Sequence, residues 1–89
     1  MKITNIDAAV EKIENLLKDY GFKSGREAGW LEGVRSKTGF LRVVMDSEMM
    51  GAYKLTANSC LEWKLELSLQ TPVAILLATI TAALDEANL

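Results

Sequence analysis

The sequence predicts an α+β domain, a two-layer sandwich in the order α-β-β-β(-β)-α, with an antiparallel meander sheet and both helices packed on one face. Three observations predict it. From Cys60 to Leu69 the chain alternates, with Leu61, Trp63, Leu65, Leu67 and Leu69 interleaved with Cys60, Glu62, Lys64, Glu66 and Ser68. Successive strand side chains point to opposite faces, so this is a strand with one apolar and one solvated side. Segments near both ends instead repeat apolar residues every three to four positions, the period of a helix. The links between predicted strands are all short, which suits antiparallel neighbours rather than crossovers. The 89 residues, 49% hydrophobic and 25% charged, suit a single globular domain over 1–89 with a small core.

Helix one begins near Thr4 or Asn5, where a capping side chain precedes Asp7 in the first turn. Ile6, Val10, Ile13, Leu17 and Tyr20 form its apolar stripe, and Glu11, Glu14, Asn15, Lys18 and Asp19 lie opposite. Gly21 supplies the left-handed residue that ends such a helix, and Phe22 packs back on it. Glycines then recur at 21, 25, 29 and 33. Lys23, Arg26, Glu27 and Glu32 between them exclude a membrane zipper, and each glycine would cost a soluble helix about 1 kcal/mol. The segment therefore reads as loop and then strand from about Ala28 to Ser36, turning through Lys37-Thr38-Gly39. On that strand Gly29 and Gly33 share a face with Leu31, leaving shallow gaps where a helix or a ligand could approach, and helix packing is the favoured reading. Phe40 to Asp46 is apolar on both faces and so belongs in the middle of the sheet. Ser47 to Gly51 connects it to a third strand over Ala52 to Ala57, and Asn58-Ser59 turns into the alternating strand.

Thr71 and Pro72 are an N-cap and first-position pair that opens helix two. Ten of the 12 residues from Val73 to Leu84 are apolar, too short a run for a membrane span of about 20. At 100° per residue Val73, Leu76, Leu77, Ile80, Ala83 and Leu84 form a bulky face for the sheet. Ala74, Ala78 and Ala82 form a ridge of small residues on the other side, beside Ile75 and Thr79. That ridge admits a second helix at close range, either helix one or helix two of another copy. Because so small a domain scarcely surrounds a helix, the expectation is self-association through the helix at 72–88 or through an open sheet edge. The partner is a second copy, giving a dimer, or another protein. The run Leu61-Glu62-Trp63-Lys64-Leu65-Glu66-Leu67-Ser68, with Thr71-Pro72-Val73 and the helix through Ala82-Ala83-Leu84, resembles the closing strand and helix of small uncharacterised domains in actinobacterial and phage genomes. The resemblance covers roughly 25 residues, under a third of the chain, and implies a phage or mobile-element setting without carrying over any functional residue.

The chain has no histidine and one cysteine, which removes the commonest general base, the usual nucleophile pairs and a structural zinc site. Cys60, at a strand start, reads as a structural cysteine. Glu62 and Glu66 lie on one strand face but about 13 Å apart, beyond the spacing of glycosidase carboxylates. The glycines match neither a phosphate loop nor a dinucleotide fingerprint. No enzyme activity, cofactor or metal is expected. A lone cysteine suits a reducing compartment, and the charges through Met1 to Tyr20 do not read as a secretory signal, so the expected location is the cytoplasm, off the membrane. Between Gly21 and Arg42 five basic residues, Lys23, Arg26, Arg35, Lys37 and Arg42, outnumber Glu27 and Glu32, a local +3 in a chain of net charge -2. With Trp30 and Phe40 interleaved, this hairpin over 23–42 offers the alternative reading, an accessory protein that contacts nucleic acid by charge and stacking. Trp30 and Phe40 read first as core residues. Met45, Met49 and Met50, near Tyr53, read as packing around a loop, with an adaptable partner surface as the second choice.

Overall fold

A computed structural model describes residues 5–24 and 30–87. The elements are α1 (Asn5–Asp19), β1 (Lys23–Ser24), β2 (Trp30–Glu32), β3 (Phe40–Met45), β4 (Met49–Leu55), β5 (Leu61–Ser68) and α2 (Val73–Ala87). The strands form one sheet in the order β1-β2-β3-β4-β5, every pair antiparallel. Residues of both helices share one core with one sheet face, so the fold is the expected α+β meander. It has five strands because Lys23 and Ser24, which read as loop, pair with Glu32 and Leu31. Thr4 and Arg26, together with Gly25 and Gly29, lie outside the described residues.

α1 buries Ala9, Ile13 and Leu17 completely, with Ile6 and Val10 packed beside them. The helix ends as its glycine predicts: Gly21 has φ 85°, its N–H donates to Lys18 O, and the Phe22 N–H donates to Leu17 O, both at 3.0 Å. Tyr20 falls past the last helical residue and leaves the stripe, half its surface exposed. Phe22 is buried, and a Cβ on Gly33 would lie 2.9 Å from its ring. The gap predicted at Gly33 is therefore filled by a single aromatic side chain rather than by a helix.

β3 is central, as its two apolar faces require. Leu41, Val43 and Met45 enter the helix-covered core, while Phe40, Arg42 and Val44 occupy the opposite, outer face. Phe40 is fully buried there and Trp30 is half-buried, so neither belongs to the core that the helices cover. β4 starts at Met49, earlier than the sequence suggests. The Asp46 carboxylate accepts the N–H groups of Glu48 and Met49 at 2.7 and 2.6 Å, and so closes the turn quickly. Met45 and Met50 consequently pair across the hairpin inside the core, which leaves Met49 as the exposed one of the three. α2 opens at Val73, one residue later than the sequence places it: Pro72 takes the cap position, its carbonyl accepting the N–H groups of Ile75 and Leu76. It buries Leu76, Ile80, Ala83, Leu84 and Ala87 and packs against α1, β3 and β4. No helix among the described residues is long and apolar enough to cross a membrane.

Candidate functional site

β5 closes the sheet, and among the described residues no strand pairs with its other side. Its helix-side residues Trp63, Leu65 and Leu67 touch the core but stay only partly buried. The reason is lateral placement: α2 packs over β3 and β4, one strand in from the edge, and leaves a groove of about 380 Å³ beside β5. Trp63 and Leu65 form its floor, and Thr79, Ala82, Ala83 and Glu86 of α2 form its wall. A register shift opposite Lys54 and Leu55 takes Leu61 out of this row. Leu61 pairs with Leu55, whose side lies on the outer face, and is 54% exposed, so the alternation read from Leu61 onward starts one step later in space.

The five self-association candidates on α2 sit together on its solvent side. Ala74, Ile75, Ala78 and Ala82 are exposed and Thr79 is half-exposed, its hydroxyl donating back to Ile75 O. α1 touches α2 without covering this ridge, which removes the intrachain partner from the two considered above. Thr79 and Ala82 of the ridge line the groove beside Trp63 and Leu65 with Glu86, so the C-terminal part of the ridge borders the β5 edge. An exposed apolar flank and an under-covered edge strand are thus neighbours.

The basic hairpin is built differently from a phosphate-binding patch. Register places Lys23, Glu32, Arg42, Tyr53 and Lys64 in one row across the outer face. Glu32 is the hub: one oxygen accepts from Arg42 Nε at 3.0 Å and Nη2 at 2.8 Å, and the other lies 3.9 Å from Arg35. Arg35 stacks over Phe40 at 3.9 Å and Arg42 over Trp30 at 4.4 Å, the arrangement that buries an aromatic face under a cation. Of the nucleic-acid candidates, Arg35 and Arg42 are therefore engaged internally, Lys23 is exposed on the β1 edge, and Lys37 is exposed at the hairpin tip.

Lys54 is a buried cation that the alternation pattern gives no means of finding. It is 3% exposed, and its ammonium donates to Thr38 O at 2.7 Å and Leu55 O at 3.2 Å and lies 3.4 Å from a Glu62 oxygen. Three acceptors satisfy its three protons, so its role is to tie the 36–39 hairpin to β4. Glu66 pairs with Lys64 at 3.3 Å, so Glu62 and Glu66 each face a cation rather than one another. Cys60 is a free, exposed thiol just before β5. Comparison with protein-family models, with curated proteins and with solved structures finds no match.

Proposed function

We propose that this chain is a small non-enzymatic assembly module that associates with a second copy of itself. The observation that carries the reading is the half-exposed apolar row Trp63, Leu65 and Leu67 on a strand whose outer edge no described strand pairs, beside the exposed flank of α2. Open strand edges template pairing with another strand, and monomers usually blunt or cover them. Here the edge strand is eight residues long, has no proline, and carries a groove that a neighbour would close. The alternative, nucleic-acid contact, ranks below it because Glu32 binds Arg42 and lies 3.9 Å from Arg35, the two arginines that stand over the aromatic rings. Sedimentation or light scattering from low to several hundred micromolar tests the proposal, and a strict monomer throughout overturns it. Ala78→Glu separates the two surfaces: it weakens association carried by the α2 ridge and leaves association carried by the β5 edge unchanged.

A further inference from the structure

Resting on the self-association reading above, we infer that two copies pair β5 with β5 antiparallel about a two-fold axis through Leu65, with Lys64 of each copy facing Glu66 of the other. Opposed residues in an antiparallel pair share a face, so a symmetric pair must match even with even positions and odd with odd, and its axis must pass through a residue. For a strand running Leu61–Ser68, an axis at Lys64 or at Leu65 gives the longest overlap. Charge separates these two. An axis at Lys64 sets Lys64 against its own copy and Glu62 against Glu66 twice, all like charges, which destabilise a sheet when directly opposed. An axis at Leu65 sets Lys64 against Glu66 twice and Glu62 against Ser68.

The same register suits the backbone and the apolar face. The Leu69 N–H donates to Glu48 O at 2.7 Å, so in the regular part of β5 the odd-numbered residues turn their N–H and C=O groups toward β4. Lys64 and Glu66 then present theirs to the open edge, and in this register they face each other as the pairs that exchange two hydrogen bonds. On the helix side Leu65 meets Leu65 on the axis and Trp63 meets Leu67. The half-exposed row of each copy gains its missing lateral neighbours, between the two α2 flanks. The ion pair between Lys64 and Glu66 within one chain, at 3.3 Å, becomes half of an alternating cluster of four charges.

Charge exchange tests the register. Lys64 and Glu66 are both exposed, so their exchange spares the core. Lys64→Glu and Glu66→Lys should each raise the dimer dissociation constant about tenfold, since each turns two facing attractions into repulsions. The double variant should restore it to within about threefold of the parent. A second measurement uses Leu65→Cys in a Cys60→Ser background. On-axis residues of a non-hydrogen-bonded pair have Cα atoms about 4.5 Å apart, within disulfide reach, so this variant should cross-link with glutathione disulfide as the two-electron acceptor, while Lys64→Cys should not. A dimer that ignores the single exchanges, is not rescued by the double one, or cross-links through residue 64 overturns the register and leaves self-association standing. A parent protein that is monomeric at every concentration overturns both.

Discussion

One carboxylate oxygen of Glu32 accepts two hydrogen bonds from Arg42, from Nε at 3.0 Å and Nη2 at 2.8 Å, while the guanidinium lies over the Trp30 ring. The same oxygen is 3.3 Å from the Trp30 indole nitrogen, so a single acid organises the outer face of β2 and β3. Glu32→Gln should cost about 1 kcal/mol in denaturant unfolding, the scale of a partly exposed but geometrically fixed ion pair. The cost should shrink at high salt. Arg42→Lys should cost at least as much, because an ammonium keeps the charge but loses the fork and the stacking.

The internal pairing also bears on nucleic acid. Arg42 is bound to Glu32, and Arg35, itself exposed, lies over Phe40 and 3.9 Å from Glu32, so the basic groups of the described hairpin with neither an acid nor a ring beside them are Lys23 and Lys37. Titration with mixed single- and double-stranded DNA at low salt should leave the protein unshifted, whereas saturable binding with a steep salt dependence would restore the alternative reading.

Lys54 and Gly39 fix the 36–39 hairpin against β4. Gly39 has φ 118°, and a Cβ there would lie 1.9 Å from Leu55 O, so no side chain fits without moving backbone. Gly39→Ala should cost about 2 kcal/mol or more, from strain and displacement together. Lys54→Met keeps the length of the side chain but removes the donor to Thr38 O, and should cost about 1 kcal/mol. Thermal or denaturant midpoints check both.

Asp46 gives acid sensitivity a definite origin. The N–H groups of Met49 and Glu48 that its carboxylate accepts hold its pKa below the usual 3.8. A group depressed on folding stabilises the protein above its unfolded pKa and loses that contribution as pH falls through the folded value. Stability should therefore drop as pH falls below about 4, and Asp46→Asn should flatten that part of the profile in urea titrations at stepped pH.

Periodicity made the layers legible because it reports burial directly: Ile13 and Leu17 on α1, Leu76 and Ile80 on α2, and the two-faced β3 all sit where their spacing puts them. What spacing could not convey was register. The shift opposite Lys54 and Leu55 turned Leu61 outward, a bulge set by two strands jointly and invisible in either alone. The two-residue β1 is too short to show an alternation, and Lys54 looks like any solvated lysine until Thr38 O is brought beside it. The α2 ridge was readable as surplus apolar surface. Its counterpart, the under-covered row on β5, follows from α2 lying over β3 and β4, a lateral placement that no one-dimensional pattern encodes.

Gly51 and Tyr53 should be energetically coupled, and the sign of one substitution should depend on the other. Both lie on the outer face, and the Tyr53 ring folds over Gly51 closely enough that a Cβ at residue 51 would sit 2.6 Å from its hydroxyl and 2.8 Å from its ring carbons. Gly51 has no positive φ, so the obstacle to a side chain is this ring rather than the backbone. In the parent protein Gly51→Ala must push the ring off the strand, losing its contact with β4 for a gain in backbone propensity, and should destabilise by up to about 1 kcal/mol. In a Tyr53→Ala background the site is open, and the same change should stabilise by about 0.5 kcal/mol, the ordinary advantage of alanine over glycine inside a strand. A double-mutant cycle from urea unfolding measures the difference; additive effects would show that the ring does not rest on Gly51 in solution.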